Sequence, residues 1–194
     1  MTKVPLHILL GSASPRRREL MSGLDVDFTA ISIDADESYP SQLQAGDIPA
    51  FISRAKAQAY LPQLREDELL ITADTIVWLD GRMLGKPHDE AEAKTMLRQL
   101  SGKTHQVYTA VTFVQQGSEM ETVVDRTDVT FAELTEEEIQ HYVTKYHPLD
   151  KAGAYGVQEW IGYIACVEMK GSYFNVMGFP THLVYPILRK RMKE

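Results

Sequence analysis

The apolar run over residues 6–10 passes directly into Gly11-Ser12-Ala13-Ser14-Pro15-Arg16-Arg17-Arg18. The run reads as a first strand, and Ser14 reads as the N-cap of a helix with Pro15 in its first position. That helix is predicted over residues 15–22, with Gly23 as its stop. Arg16, Arg17 and Arg18 then crowd the first turn, where the macrodipole is positive and the N–H groups are unpaired. An anion bound at the turn would account for them, because hydroxyls, free N–H groups and guanidinium forks together make a phosphate site. The plain alternative is a solvated basic turn that caps a helix, and these residues alone leave both readings open.

Strand and helix candidates alternate along the rest of the chain, which points to an α/β fold. Residues 26–33 read as a second strand and 34–46 as a polar, turn-rich loop. Asp47 reads as the cap of a helix through Tyr60, with Phe51, Ala55, Ala59, Ile48 and Ile52 at helical spacing and Lys56 sharing part of that face. Residues 69–79 form the strongest strand signal. An Asp80-Gly81 turn and a short return over 82–84 follow it. Asp89 caps a helix to Leu100 with a stripe of Ala93, Met96, Leu97 and Leu100, stopped by Gly102. Residues 107–114 and 121–131 read as strands joined around Gln116-Gly117. Thr135 and Glu138 form a capping box for a helix to Tyr146. Residues 161–169 and 172–177 read as a hairpin around Lys170-Gly171. A last helix begins after Pro180, with Pro186 as a potential kink.

A chain of 194 residues suits one well-buried core, and no repeat or linker divides it, so a single domain over 1–194 is expected. The net charge of −7 argues against a general nucleic-acid binder but leaves room for a small anion on a local basic cluster. The single cysteine, Cys166, excludes an intrachain disulfide and is expected to pack as a small hydrophobe, which fits a reducing cytosol. Met1-Thr2-Lys3-Val4-Pro5 and the residues behind it carry neither a signal-peptide pattern nor a membrane span, so a cytoplasmic location is expected.

Asp74 interrupts an apolar strand, Leu69-Leu70-Ile71-Thr72-Ala73-Asp74-Thr75-Ile76-Val77-Trp78. A carboxylate there needs a partner, a set of hydrogen bonds or a metal. A structural Asp at a strand bend is the plainer alternative. In a regular strand Asp74 and Thr75 point to opposite faces, so joint service in one site predicts a bulge or a strand end. Asp36-Glu37 in the polar loop would usually be solvated. With Asp74 they offer hard oxygen ligands of the kind magnesium or manganese takes. The six histidines are scattered and read as structural. Lys86, in Gly85-Lys86-Pro87, follows the hairpin of the Asp74 strand, although a surface lysine is the simpler reading. The segment Asp150-Lys151-Ala152-Gly153-Ala154-Tyr155-Gly156-Val157-Gln158 permits close backbone approach to a ligand, and the Gln158 amide suits a base edge; a plain connecting loop competes. No P-loop and no G-x-G-x-x-G is present.

Taken in order, these segments resemble the Maf family of nucleotide pyrophosphatases. The resemblance rests on Ser12-Ala13-Ser14-Pro15-Arg16-Arg17, Ala73-Asp74-Thr75, Gly85-Lys86-Pro87, Leu100-Ser101-Gly102 with His105, Thr109-Ala110-Val111, and Asp150 through Gln158. Gly171-Ser172-Tyr173 and Gly178-Phe179-Pro180 continue it, so it covers nearly the whole chain. It implies an α/β fold with a curved mixed sheet, flanking helices and two lobes around a cleft, similar to inosine triphosphate pyrophosphatases. It implies metal-dependent cleavage of a nucleoside triphosphate between its α- and β-phosphates. Asp74 matches the proton acceptor. Arg16, Thr75 and Gln158 match positions tied to substrate choice. Ser12, Ser14, Arg17, Lys56 and Lys86 match polar positions of the phosphate site, and Glu37 matches an acid near the metal and the catalytic water.

Ala73-Asp74-Thr75 and the full 150–158 segment resemble the dTTP/UTP branch. The 7-methyl-GTP branch tends to Ser-Asp-Gln at the central strand and to a Cys-Ala-Gly-Ser-Phe loop, neither of which occurs here. Two departures stand out: Gly11 for a common Ala, expected to matter little, and Glu159 where Gly is frequent, expected to alter the rim of the base pocket. The family often forms dimers, so the resemblance leaves a homodimer open without fixing the oligomeric state, and the family name is associated with inhibition of septum formation, so a regulatory binding role is the competing reading.

Overall fold

The computed structural model describes residues 6–193. The segment read for a leader, residues 1–5, lies outside them. The elements run in chain order as β1 (His7–Gly11), α1 (Pro15–Ser22), β2 (Thr29–Ile31), α2 (Asp47–Tyr60), β3 (Glu68–Leu79), β4 (Arg82–Leu84), α3 (Glu90–Leu100), β5 (Thr104–Gln115), β6 (Glu121–Phe131), α4 (Glu136–Tyr146), α5 (Trp160–Ala165), β7 (Cys166–Lys170), α6 (Tyr173–Val176) and α7 (Thr181–Arg191). Six strands lie in the order β2-β1-β3-β5-β6-β7, and β4 pairs with β3 to complete a seven-stranded sheet. β1 is parallel to both β2 and β3, a pairing that needs long crossovers; α1 and α2 lie in those connections. β4 returns antiparallel through Asp80 and Gly81, whose φ values of 50° and 78° suit a tight hairpin. The expected mixed α/β sheet with flanking helices is therefore present. No helix among the described residues is long and apolar enough to cross a membrane.

The chain divides into two compact units, and β3, β5 and β6 each contribute residues to both. The first unit takes residues 6–74, 109–125 and 178–193. Its core joins Leu9, Leu70 and Val114 from three strands to Ala57 of α2 and Leu64. Alternation along β3 sends Leu70, Thr72 and Asp74 to one face, and α2 covers that face. Thr72 donates its hydroxyl to the Ser53 carbonyl (2.7 Å), and the Ser53 hydroxyl shares a hydrogen bond with Thr112 (2.9 Å). Burial on α2 falls on Ile48, Pro49, Ile52, Ser53 and Ala57, while Phe51 is 41% exposed. The Phe51-Ala55-Ala59 line thus faces outward. The helix is rotated because the partnered Ser53 hydroxyl takes a buried position that hydrophobicity would not assign to it. Asp47 is the first helical residue, and Gly46 is the N-cap. β2 is shorter than the predicted 26–33, because only Thr29–Ile31 finds partners on β1.

The second unit takes residues 75–108 and 126–177. The predicted stripe of α3 is fully inside: Ala93, Met96, Leu97 and Leu100 are buried. Thr135 and Glu138 make the complete capping box of α4, which buries Ile139, Tyr142 and Val143. The predicted hairpin over 161–177 is not found. Residues 160–165 are helical, β7 pairs antiparallel with β6, and 173–176 form one helical turn capped by Ser172. A short apolar run is ambiguous between strand and helix by pattern alone. Here long-range polar contacts decide it, since the buried Asn175 amide donates to the Val107 carbonyl (3.1 Å) and to Thr127 Oγ1 (2.9 Å).

Candidate active site

In the first unit the turn after β1 folds on itself. Ser12 N–H donates to the Leu10 carbonyl (2.9 Å), and Ser14 N–H donates to Ser12 Oγ (3.2 Å). Ser14 stands at the N-cap with extended backbone and Pro15 behind it, as predicted, but its side chain makes no capping hydrogen bond. The three arginines part company. Arg18 is exposed and donates to the Ala13 carbonyl (3.0 Å). Arg16 is half-buried. Arg17 turns inward: Nε donates to the Gly178 carbonyl (2.8 Å) and Nη1 to the Ala73 carbonyl (2.9 Å), with Ser12 Oγ at 3.5 Å. Burial lowers its pKa, and the negative charge of Asp74 opposes that shift. One guanidinium therefore holds the peptide group that immediately precedes Asp74.

Lys56 reaches the same place from α2. Its Nζ lies 2.9 Å from Asp74 Oδ1 and 2.8 Å from Glu37 Oε1. Ser53, three residues earlier on α2, is bonded to Thr72, two residues before Asp74, and this contact sets the helix against the strand. The Asp74 and Lys56 side chains are only 14% and 13% exposed, whereas Glu37 is 51% exposed. Asp36 serves its own loop instead. It accepts the Ser38 N–H and hydroxyl, both at 2.8 Å, and these bonds hold its carboxyl below the usual range. Of the predicted acid pair, Glu37 is the one that meets Lys56.

Two carboxylates gathered on one ammonium are the hard donors that magnesium or manganese takes. Among the described residues no cluster of three or more His, Cys, Asp or Glu side chains could hold a metal. Glu37 and Asp74 offer two carboxylates, and magnesium commonly takes one or two from a protein beside water and phosphate oxygens.

β3 continues through Thr75, so of the bulge or strand end that joint service of Asp74 and Thr75 would call for, a strand end does not occur there. Thr75 and Val77 share the other face of the strand. Gly153 packs on Val77; its φ is +67°, and a Cβ there would sit 2.9 Å from Val77 Cγ2. Gly153 N–H also donates to the Gly85 carbonyl (3.0 Å) beside Lys86. These contacts set Gly153, five residues before Gln158, against Val77 of β3 and against Gly85, the residue before Lys86. Lys86 is exposed and lines a groove of about 690 Å³ with Leu84, Glu92 and Met96, while Gln158 is half-buried. One cluster was not foreseen from the sequence. Lys151, only 7% exposed, pairs with Asp150 (2.7 Å) and Glu159 (3.1 Å), and Glu159 accepts the Tyr142 hydroxyl. A lysine and a glutamate eight positions apart in an irregular segment carry no periodic signal. His105 is fully buried, with Nε2 2.7 Å from the Tyr155 hydroxyl.

This arrangement of sheet and helices is shared with solved Ham1 proteins. The Staphylococcus aureus Ham1 protein matches with a TM-score of 0.56 at 14% identity over 95% of this chain and 99% of that one. A HAM1 protein from Coxiella burnetii matches with a TM-score of 0.52, also at 14% identity, over 95% and 99%. The chain belongs to the Maf family: the family model described as "Maf-like protein" matches residues 7–191. Among curated relatives, the "dTTP/UTP pyrophosphatase" of Bacteroides thetaiotaomicron is 54% identical over 185 residues, 95% of each chain. The proteins of the same name from Phocaeicola vulgatus (51%, covering 94% of this chain and 95% of that one) and Porphyromonas gingivalis (50%, 94% and 92%) are similar over the same extent.

Proposed function

We propose that this chain hydrolyses dTTP and UTP to the nucleoside monophosphate and pyrophosphate. Relatives of that name at 50–54% identity and near-complete coverage support the reading. The observation that carries it is the Lys56 ammonium joining Asp74 to Glu37, with Arg17 bonded to the preceding carbonyl.

Asp74 accepts the proton of the water that attacks the α-phosphorus. The carboxylate is oriented on one side by Lys56 and along the chain by Arg17, which fixes the Ala73 peptide. Magnesium or manganese held by Glu37 and Asp74 would polarise the phosphoryl oxygens and acidify the water when bound. Ser12, Ser14, Arg16, Arg17, Lys56 and Lys86 serve the phosphates, where fixed cations and N–H dipoles offset the charge that develops on departing pyrophosphate. Thr75 and Gln158 read the pyrimidine edge, since a carboxamide offers a donor and an acceptor side by side. A purine is rejected by size and by the polar groups it leaves unpaired. The reading takes residues 1–194 as one catalytic domain working in the cytoplasm on free nucleotides, with sedimentation to decide between monomer and homodimer.

The test is turnover of dTTP, UTP, CTP, GTP and 7-methyl-GTP with magnesium or manganese, with products identified. Monophosphate and pyrophosphate from dTTP and UTP are expected. Preference for 7-methyl-GTP would keep the reaction and overturn the substrate. Absence of turnover across the panel would overturn both.

A further inference from the structure

We propose that Glu159, clamped between Lys151 and Tyr142, is a positioning residue that sets pyrimidine preference through its neighbour Gln158. The inference rests on the base-reading role given to Gln158 above.

Glu159 is the N-cap residue of α5, yet its side chain makes no capping hydrogen bond. The shorter side chains Ser, Thr, Asp and Asn are the ones that usually cap a helix start, so the longer Glu159 side chain is free of that duty. Here the carboxylate turns back instead. One oxygen lies 3.1 Å from Lys151 Nζ, and the other accepts the Tyr142 hydroxyl. The Tyr142 oxygen in turn accepts the Gly156 N–H (3.0 Å). Burial first, then the hydrogen bond to Glu159 and after it the Glu159 charge, push the phenol up, so the hydroxyl keeps its proton and donates. Lys151 is nearly sealed from water, and a sealed ammonium holds its geometry only with its partners in place. The carboxylate and the lysine stem close over Gly156, where a Cβ would meet Glu159 Cδ at 3.0 Å and Lys151 Cε at 3.1 Å.

The backbone repeats the constraint. Glu159 N–H donates to the Gly156 carbonyl, and Gly162 N–H donates to the Glu159 carbonyl, both at 2.9 Å. Gly162 presses on Val157 so closely that a Cβ would sit 1.8 Å from its carbonyl oxygen. Gln158 is thus carried between two fixed residues, the buried Val157 and Glu159, and is itself half-buried. An amide that discriminates between bases must be held within a fraction of an ångström, and the clamp supplies that hold.

The experiment measures kcat and KM for UTP and GTP, with melting temperature, in wild type, Gln158→Ala, Glu159→Ala, Glu159→Gln, Tyr142→Phe and the Gln158→Ala/Glu159→Ala double variant. Glu159→Ala is expected to raise KM for UTP about tenfold, with a much smaller fall in kcat, and to lower the UTP-to-GTP ratio of kcat/KM about tenfold. Glu159→Gln recovers part of the ratio, because its carbonyl still accepts the Tyr142 hydroxyl. Tyr142→Phe moves the ratio the same way and gives the result if Glu159→Ala fails to fold. In the double variant the two losses are non-additive. A Glu159→Ala or Tyr142→Phe protein that loses stability or kcat equally on both nucleotides, with the ratio unmoved, overturns the proposal while Gln158→Ala still moves it. An unmoved ratio in Gln158→Ala overturns the base reading and the proposal with it.

Discussion

Lys56 and Asp74 form an ion pair, Nζ to Oδ1 2.9 Å, that is about as shielded from water on one side as on the other, at 13% and 14% side-chain exposure. The pair lets a carboxylate sit inside an apolar strand, and Glu37 at 2.8 Å gives the ammonium a second, more exposed partner. The same ammonium keeps two acids together that would otherwise repel each other.

Asp74→Asn retains shape and hydrogen bonding but cannot take a proton. Turnover of dTTP is expected to fall by roughly 10²–10⁴, with a melting temperature within a few degrees of wild type. Full activity in a folded Asp74→Asn protein would remove Asp74 from the role of base.

Lys56→Met leaves Asp74 and Glu37 as neighbours without their shared cation. A loss of about 2–3 kcal/mol in urea unfolding is expected, below the range for fully buried pairs because Glu37 is half in water. Manganese is expected to raise the melting temperature of the variant more than that of wild type, since the metal replaces the missing positive charge. Equal metal response in the two proteins would argue against Glu37 and Asp74 as metal ligands.

Arg17→Lys keeps the charge and loses the fork. Two backbone carbonyls, Gly178 and Ala73, share that guanidinium, and a single ammonium does not reproduce both bonds. The expected result is a stability loss of about 1–3 kcal/mol together with a lower kcat, because the peptide before Asp74 is released. Unchanged unfolding and unchanged kcat would show that a point charge suffices.

His105 gives a dependence on pH. Burial lowers its pKa from 6.5 to about 4, and Nδ1 has no hydrogen-bond partner among the described residues, so a second proton would be both desolvated and unpaired. The folded value lies below the unfolded one. The unfolded chain therefore binds more protons at acid pH. This contribution is fully present above pH 6.5 and is lost as pH falls from 6.5 to 4. It amounts to about 2 kcal/mol between pH 7 and pH 5. Urea midpoints should fall over that interval and fall less in His105→Gln. Equal slopes in the two proteins would exclude His105 as the source.

Much of the fold was legible in the sequence where the signal was local. The α3 stripe, the α4 capping box, the Asp80-Gly81 hairpin and the Ser14-Pro15 helix start all occur where spacing and cap chemistry put them. The reading failed at residues 161–177, where an apolar run fits strand or helix equally and the Asn175 contacts to Val107 and Thr127 decide. It failed again on the face of α2, where a buried serine outranks Phe51 because its hydroxyl finds Thr112.

For the site, the sequence determined the residue types: a carboxylate in a buried strand, arginines at a helix start, a glycine-rich segment ending in an amide. Those follow from desolvation and backbone geometry, which act within a few residues. Which arginine turns inward, which of Asp36 and Glu37 meets Lys56, and what holds the Gln158 loop were decided only in the tertiary structure. Each is a contact between residues far apart in the chain: Arg17 with Gly178, Glu37 with Lys56, Tyr142 with Glu159. Such partners are chosen by packing in three dimensions, and no periodicity along the chain encodes them.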